Sequence, residues 1–216
     1  HVLFLLAALL GGVVAQAQVT EFPYTQSFET ADLGGWTATD ADADGYNWTR
    51  VTYTDAVGHD GTYFMISQSY DNSFGVLTPD NWLISPAIAL EDSPMVLSWW
   101  TKVQDPNYPA DHFGVFVSTT GNTPDDFGGE PLYEVTLSSA YADWVKTEVS
   151  LADYAGQTVY IAFRHYDCTD QYIFQLDEVT VAAPAACPLP TNLAVVPGTT
   201  SADVSFDYAE NAGGAL

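Results

Sequence analysis

The stretch TVYIAFRHY, residues 158–166, decides the fold class of this chain. Val159, Ile161 and Phe163 point to one face of an extended segment and Ala162 points to the other, because successive side chains of a β-strand alternate. Apolar groups therefore occupy both faces, which is typical of a strand covered on each side. The stretch predicts a strand in the middle of a sheet.

Arg164 interrupts this apolar stretch and is one of only four Lys and Arg residues in the chain. A guanidinium in a covered strand needs a carboxylate or an aromatic face beside it. We expect Arg164 to be partly buried in an ion pair or against a tyrosine ring.

Working outward, short β-rich runs recur with turn residues between them, and no stretch shows sustained helical periodicity. The loops are rich in Asp, Gly, Pro and Asn, as in residues 105–109 and 121–126. Several short strands at this spacing predict an all-β fold, a jelly-roll β-sandwich. The clearest predicted strands are Val96–Trp100, Phe113–Ser118, Leu132–Leu137, Trp144–Leu151, Thr158–Tyr166 and Tyr172–Val181.

The amino-terminal residues have the pattern of an export signal. Residues 2–14 are apolar, and Ala15-Gln16-Ala17 has the small-x-small form of a signal-peptidase site. The apolar run is shorter than the roughly 20 residues of a membrane span. We therefore expect residues 1–17 to be a signal peptide whose start is missing, and the mature protein to be secreted or on the cell surface without spanning the membrane.

A change of composition near residue 184 predicts a domain boundary. Residues 184–190 are small residues and prolines and read as a linker after a domain of residues 18–183. Residues 191–216 contain two alternating runs, and the Asn192-Leu193 start resembles the opening hairpin of a fibronectin type III domain. We expect this second domain to be truncated at Leu216, so the chain would be attached to further domains.

The charge of the chain excludes one class of partner. Asp and Glu number 28 against 4 Lys and Arg, which gives a formal net charge of −24. Nucleic-acid binding takes its affinity from cationic side chains, so DNA and RNA are excluded as partners. Two interpretations of the carboxylates stay open: a solubilising surface, or ligands for divalent cations.

Residues 22–181 resemble the cleaved-adhesin family, the haemagglutinin and adhesin regions found downstream of the gingipain proteases. The resemblance implies a jelly-roll sandwich similar to MAM domains and carbohydrate-binding modules, structural Ca²⁺, and adhesion to host proteins, haem proteins, matrix or sugars. The motifs that carry it, in chain order, are Ser27-Phe28-Glu29, Gly35-Trp36, Asp40-Ala41-Asp42-Ala43-Asp44-Gly45 with Trp48, Pro79-Asp80-Asn81-Trp82-Leu83-Ile84-Ser85-Pro86, Asp111-His112-Phe113 with Val117-Ser118, Ala162-Phe163-Arg164-His165-Tyr166 and Leu176-Asp177-Glu178-Val179.

One candidate metal site is local. Asp40, Asp42 and Asp44 alternate in a tight turn that ends at Gly45, and such a loop can supply several of the six to eight oxygens that Ca²⁺ needs. Val51 stands where an EF-hand would have its bidentate Glu, so the loop is not an EF-hand. A solvated acidic turn is the alternative.

A second candidate metal site is long-range. Glu29 ends the first predicted strand and Asp177 lies within the last, and these two strands are neighbours in a jelly roll. A buried carboxylate without a partner is costly, so the two groups are predicted to share a Ca²⁺ ion. Pairing of Asp177 with Arg164 is the main alternative. Asp111, just before the strand that begins at Phe113, is a further candidate ligand.

The two cysteines, Cys168 and Cys187, could form a disulfide because an exported chain leaves the reducing cytosol. Two free thiols are the alternative. Strand alternation predicts that His165 and Cys168 face opposite ways, so we expect no activated nucleophile at Cys168.

Aromatic residues are the main indication of a binding surface. Aromatic faces stack on sugar rings or occupy the centres of protein interfaces. Tyr108, in the proline-rich loop, is predicted to be exposed and to bind ligand. Core positions are expected for Trp36, Trp82 and either Trp99 or Trp100.

The sequence therefore predicts a calcium-stabilised adhesion or ligand-binding module of an exported multidomain protein, with an extracellular protein or glycan as its ligand. A carbohydrate-binding or accessory domain attached to a secreted hydrolase or peptidase is the alternative. No Ser/His/Asp or two-histidine metalloprotease motif is found, so the chain is not expected to be an enzyme.

Overall fold

A computed structural model describes residues 18–53, 57–185, 191–197, 199 and 202–207. The predicted signal peptide, residues 1–17, lies outside these ranges, as do Cys187 and residues 186–190 of the predicted linker. The described helices are four three-residue 3₁₀ turns, at Leu33–Gly35, Pro124–Asp126, Ser139–Tyr141 and Ala152–Tyr154. The strands are β1 (Tyr24–Gln26), β2 (Thr37–Asp40), β3 (Thr49–Val51), β4 (Phe64–Gln68), β5 (Tyr70–Asp71), β6 (Gly75–Val76), β7 (Asn81–Ile84), β8 (Ile88–Ala89), β9 (Val96–Val103), β10 (His112–Ser118), β11 (Tyr133–Thr136), β12 (Val145–Ser150), β13 (Thr158–His165), β14 (Ile173–Ala182), β15 (Thr191–Pro197) and β16 (Ala202–Asp207).

The strands of the main unit form two antiparallel sheets that pack as a jelly-roll β-sandwich. The first sheet has the order β12-β9-β14-β4-β3, with β1 also paired to β14. The second has the order β11-β10-β13-β7-β2, with β8 also paired to β13. The predicted all-β jelly roll is confirmed.

Large aromatic side chains fill the space between the sheets. Trp99 on β9, Phe113 on β10, Phe163 on β13 and Phe174 on β14 are essentially inaccessible to solvent. The rings of Phe113 and Phe174 stack across the two sheets with centroids 4.6 Å apart. Burial of such side chains contributes roughly 1.5–3 kcal/mol each. This core joins the sheets and fixes which loops meet at the ends of the sandwich.

Strand β13 has the central position that its sequence predicts. It pairs with β10 on one side and with β7 and β8 on the other. One of its faces enters the core, and Ala162 on the other face is covered by an outer apolar cluster that contains Trp82 and Phe127. Trp82 is therefore buried as predicted, although it lies on the outer side of the second sheet.

Arg164 forms the ion pair expected for a cation in a covered strand. Its Nε and an Nη donate to the two carboxylate oxygens of Asp80 at 2.7 and 2.8 Å. The guanidinium carbon also lies 4.3 Å from the centre of the Tyr166 ring. This engagement leaves Asp80, and not Asp177, as the partner of Arg164.

The chain divides into two compact units between Ala183 and Pro184. The second unit contains the antiparallel hairpin β15–β16, with Val195 opposite Val204. A fibronectin type III identity for this unit stays a prediction. Among the described residues, no helix is long and apolar enough to cross a membrane.

We expect residues 18–183 to fold without the second unit, because few contacts should cross a linker of small residues and prolines. The check is to express residues 18–183 alone and compare its thermal unfolding with that of residues 18–216. A soluble shorter protein with one cooperative transition at a similar temperature is the expected result. Aggregation of the shorter protein alone would place the boundary elsewhere.

Candidate functional site

A break in the first sheet creates a site around Asp177. Strand β14 pairs along Ile173–Leu176 with β4, and along Val179–Val181 with β1, on the same edge. Asp177 and Glu178 fall between these two partners. Glu178 has a positive φ of 46°, and the register with β9 shifts between Asp177 and Thr180. The irregular backbone therefore turns the Asp177 carboxylate toward the loop that precedes β4.

Glu29 and Asp177 both contact that loop, residues 58–63. The Oε1 atom of Glu29 accepts hydrogen bonds from the backbone N–H groups of Thr62 and Tyr63 at 2.9 and 2.7 Å. The Oδ2 atom of Asp177 accepts one from the Asp60 N–H at 3.1 Å. The first and last strands of the sandwich, β1 and β14, are neighbours as predicted, and the loop lies between the two carboxylates.

Oxygen atoms converge beside Gly58 in this loop. A Cβ placed on Gly58 would lie 2.7 Å from Oδ2 of Asp177, 2.9 Å from the carbonyl oxygen of Tyr63 and 3.1 Å from that of Asp60. A Cβ on Gly61 would lie 2.6 Å from Oε1 of Glu29. One carboxylate and two carbonyls therefore meet beside Gly58, and the second carboxylate lies beside Gly61. Carboxylate and carbonyl oxygens are the donors that a hard cation prefers.

The ionisation of Asp177 depends on its burial and on the donors and charges beside it. Asp177 is fully buried, and burial raises its pKa to about 7, although backbone N–H groups of Asp60, Glu178 and His59 lower it. Arg50 lies beside Glu29, but its Nε and an Nη donate to the Phe28 and Glu29 carbonyls instead of to a carboxylate. A divalent cation would supply the positive charge that an ionised Asp177 lacks.

The three aspartates of the local motif also come together. One oxygen from each of Asp40, Asp42 and Asp44 lies within 4.8 Å of the others. Burial, followed by the neighbouring Asp40 and Asp44 carboxylates, raises the pKa of Asp42 to about 6. Backbone N–H groups of Ala43 and Gly45 already donate to Asp40. A cation site and a solvated acidic turn both remain compatible with this loop.

Asp111 belongs to a different cluster from Glu29 and Asp177. Its Oδ1 atom accepts a hydrogen bond from the Ser69 hydroxyl at 2.5 Å and lies 3.2 Å from Nε2 of His165. The Sγ atom of Cys168 lies 3.1 Å from the same Nε2 atom. We correct the expectation that His165 and Cys168 face opposite ways.

The alternation rule fails at this point because β13 ends at His165. Asp167 then takes a positive φ of 50°, and the chain turns back so that Cys168 meets the histidine ring. Burial raises the pKa of Cys168 to about 12, with the Asp111 carboxylate adding to the effect. Burial therefore favours the protonated thiol, and the expectation that Cys168 is not an activated nucleophile stays a prediction. The predicted bridge to Cys187 involves a residue outside the described ranges and stays a prediction.

Tyr108 lines an open groove at one end of the sandwich. Its side chain is 56% exposed, as predicted. The groove has a volume of about 470 Å³. Three separate segments form it: the β5 region, the proline-rich loop and the segment that enters β14. The lining residues are Tyr70, Asn72, Asp105, Tyr108, Asp170, Gln171 and Tyr172.

Sequence reasoning missed Tyr70 and Tyr172 as groove residues. They are about 100 positions apart in the chain, and the Asn72 amide links the two segments by donating to the Tyr172 hydroxyl at 2.9 Å. Phe74, on the hairpin of β5 and β6, is 80% exposed. The exposure of this large aromatic ring was not indicated by any spacing in the sequence.

The fold and the exposed tyrosine groove define an all-β binding module. Comparison with known proteins then gives its family. The model of the cleaved adhesin domain family matches residues 22–181, so the chain belongs to that family.

Curated relatives agree with this assignment. Hemagglutinin A of Porphyromonas gingivalis is 35% identical over 175 residues, which cover 74% of this chain and 6% of the relative. Gingipain R1 of the same organism is 34% identical over 171 residues, covering 74% of this chain and 10% of the relative. The chain thus spans a tenth or less of these two proteins.

Solved structures give the same result. The K1 cleaved adhesin domain of Lys-gingipain from P. gingivalis matches with a TM-score of 0.65 and 32% identity, over 76% of this chain and all of that domain. The K2 domain matches with a TM-score of 0.64 and 27% identity, over 74% of this chain and 98% of that domain. TmCBM61, whose structure was solved in complex with β-1,4-galactotriose, shares the fold. It matches with a TM-score of 0.52 and 14% identity, over 73% of this chain and 94% of that protein.

Proposed function

We propose that this domain is a non-catalytic adhesion module that captures an extracellular ligand in the tyrosine groove, as part of a larger exported protein. The observation that carries the proposal is the open groove of about 470 Å³ with Tyr70, Tyr108 and Tyr172 in its lining. Tyrosine presents a large, rigid surface with one polar tip, so it contributes contact area at a small cost in conformational entropy. The signal-like residues 1–17 and the relatives of much greater length support the exported, multidomain context.

The composition of the groove favours a glycan as the ligand. Tyrosine rings can stack on the apolar faces of sugar rings, while Asn72 and Gln171 can exchange hydrogen bonds with hydroxyl groups. Asp105 and Asp170 place negative charge in the groove of a chain whose formal net charge is −24. We therefore infer that a neutral glycan is preferred over a sulfated or uronic acid polymer.

Calcium forms the second part of the proposal. Glu29 and Asp177 would hold one Ca²⁺ ion together with the carbonyl oxygens of Asp60 and Tyr63. The ion would supply positive charge at the break between β1 and β4 and so tie the first strand to the last. Asp40, Asp42 and Asp44 are proposed to hold a second ion.

Exchange of Tyr108 for Ala should weaken glycan capture by about tenfold or more, because an exposed aromatic ring at the centre of a contact is a typical hot spot. The stability of the domain should change by less than about 0.5 kcal/mol, the usual range for surface substitutions. A glycan array identifies the ligand, and isothermal titration of the selected oligosaccharide then compares the two proteins.

Tyr108→Phe is the matched control, since it keeps the stacking ring and removes only the hydroxyl. We expect it to retain most of the affinity. Binding to immobilised matrix protein with no array signal would replace the glycan by a protein ligand. Equal binding by Tyr108→Ala and the parent on both probes would move the binding surface away from the groove.

A further inference from the structure

A third cluster of potential metal-binding atoms lies between the ends of two strands of the second sheet. Asp111 immediately precedes β10, His165 ends β13, and Cys168 follows on the turn after it. Asp111 and His165 are completely buried, and Cys168 is partly exposed. One side-chain ligand atom from each lies within 4.8 Å of the others.

The distances between the three ligand atoms suit a tetrahedral metal ion. Nε2 of His165 lies 3.1 Å from Sγ of Cys168 and 3.2 Å from Oδ1 of Asp111, and Sγ lies 3.9 Å from that oxygen. Bonds of about 2.0–2.3 Å from zinc to N, O and S at tetrahedral angles separate the ligand atoms by about 3.3–3.6 Å. The three observed distances lie on either side of this range, so small rotations of the side chains would accommodate an ion.

The surroundings of His165 orient Nε2 for metal binding. The Nδ1 atom lies 2.7 Å from the hydroxyl oxygen of Ser67, which in turn accepts a hydrogen bond from the Asn81 amide at 3.2 Å. When Nδ1 donates to Ser67, the Nε2 lone pair faces the Asp111 carboxylate and the Cys168 sulfur. The Cys168 thiol can donate its proton to one of these two acceptors, and loss of that proton would leave three ligand atoms facing one another, an arrangement that a cation stabilises. A hydrogen bond from the second ring nitrogen to a neighbouring polar group is the usual support of a metal-bound histidine.

An independent observation comes from the other oxygen of Asp111. Its Oδ2 atom is buried, and no group of the described residues donates a hydrogen bond to it. The contacts of Asp111 all fall on Oδ1, where the Ser69 hydroxyl, the His165 ring and the Cys168 thiol meet. A buried carboxylate oxygen without a partner is costly and calls for a bound water or ion, and a cation held by this carboxylate would offset that cost.

We propose that Asp111, His165 and Cys168 form a zinc-binding site, separate from the calcium ligands Glu29 and Asp177. The three side chains supply three of the four positions that Zn²⁺ takes, and a water or hydroxide fills the fourth on the exposed side of Cys168. Binding displaces the thiol proton to solvent, since the thiolate is the ligand. The ion ties the start of β10 to the end of β13 directly beneath the loop that carries Gln171 of the groove, because the Gln171 N–H donates to Ser69.

The test loads the metal-stripped full chain with Zn²⁺ in saturating calcium, removes free metal by gel filtration, and measures the retained zinc by mass spectrometry. We expect about one zinc per chain and a higher melting temperature. Cobalt gives a second readout, because a thiolate bound to tetrahedral Co²⁺ produces a sulfur-to-metal charge-transfer band in the near ultraviolet. Cys168→Ser should lose both the retained zinc and that band, while Cys187→Ser, the matched cysteine control, should keep them.

The Cys168→Ser variant changes a partly exposed atom and is expected to fold, which its circular dichroism spectrum would confirm. Asp111→Asn is the second variant and should retain less zinc. Absence of retained zinc in the parent chain would overturn the proposal. So would equal retention by Cys168→Ser, or a disulfide between Cys168 and Cys187 in the native protein by peptide mass mapping, since a disulfide leaves no thiolate to bind the metal.

Discussion

Five millimolar Ca²⁺ should raise the melting temperature of residues 18–183 by about 2–8 °C per site relative to the same protein in a chelator. Extracellular calcium modules have dissociation constants of about 10⁻⁴ to 10⁻³ M, so millimolar calcium stabilises by about 1–2 kcal/mol per site through mass action. The physical reason is the pair of carboxylates, Glu29 and Asp177, on either side of the loop at residues 58–63. Differential scanning fluorimetry or calorimetry at matched ionic strength measures the shift.

The most informative variant keeps every proposed calcium ligand in place. Gly58→Ala puts a methyl group 2.7 Å from Oδ2 of Asp177 and 2.9 Å from the Tyr63 carbonyl oxygen, in the space where the oxygens converge. We expect it to remove most of the calcium-specific shift although no carboxylate is lost. Glu29→Gln and Asp177→Asn should do the same by removing ligand charge.

Two controls separate the site from general charge screening. Asp153→Asn removes one exposed carboxylate far along the chain from both candidate sites and should leave the calcium shift unchanged. Asp42→Asn should reduce the shift only if the Asp40–Asp44 loop holds a second ion. Mg²⁺ should substitute poorly because it demands tighter octahedral geometry. Identical melting curves in calcium and in sodium of equal ionic strength would show that the carboxylates are only a solvated surface.

The pKa of Asp177 gives the calcium effect a pH dependence of known sign. Burial raises this pKa from its ordinary value of 3.8 to about 7, so without a cation the fold favours the protonated form. The stability of the calcium-free domain should therefore fall as the pH rises from about 4 to about 7. A calcium ion at the proposed site would bind the ionised carboxylate, so its stabilising effect should be largest above pH 7 and small at pH 5. A calcium shift that is independent of pH would exclude Asp177 as a ligand.

The parts of the fold that follow from local alternation could be predicted from the sequence. Residues 158–166 carry apolar groups on both faces, and β13 is central in the structure. The pairing of Glu29 with Asp177 could also be proposed, because a jelly roll places its first and last strands side by side. What the sequence did not show is that β14 changes its partner from β4 to β1 at Asp177, whose carboxylate lies beside Gly58.

The sites that depend on loops could not be predicted. Cys168 meets His165 only because a positive φ at Asp167 reverses the chain after β13, and alternation says nothing about residues beyond a strand end. The tyrosine groove combines Tyr70, Tyr108 and Tyr172, whose segments adjoin the ends of β4, β9 and β14 and meet only when these three strands pair in the first sheet. The abundance of aromatic residues indicated a binding surface, but the folded loops determine which of those residues lie on it.

The sequence could not decide which of the neighbours Trp99 and Trp100 lies in the core. The structure places them on opposite faces of β9. Trp99 points into the core with no exposed surface, edge-on to Tyr133 and Phe163 with ring centroids 5.2 and 5.4 Å away. Trp100 points to the other side of β9, where its ring stacks on His59 at 3.5 Å. The alternation of β9 therefore predicts very different costs for the same substitution.

Trp99→Ala should lower the free energy of unfolding by about 3–5 kcal/mol, because it leaves a large cavity between the sheets. That loss is a large fraction of the 5–15 kcal/mol typical of a whole domain. Trp100→Ala should cost about 1–2 kcal/mol, since it loses one stacked pair and only part of its buried area. Urea unfolding of residues 18–183 in saturating calcium, followed by far-ultraviolet circular dichroism, measures both variants without depending on tryptophan fluorescence. Equal losses at the two positions would contradict the alternation of β9.

Trp99→Phe tests whether the core needs the indole or only an aromatic ring. The Nε1 atom of Trp99 is buried and has no hydrogen-bond partner among the described residues. A phenyl ring would keep the edge contacts with Phe163 and Tyr133 and would remove the unpaired N–H, whose burial costs about 1–3 kcal/mol. That gain offsets part of the volume lost, so Trp99→Phe should cost less than half as much as Trp99→Ala. A loss as large as that of Trp99→Ala would instead mean that the full indole volume determines how the two sheets pack.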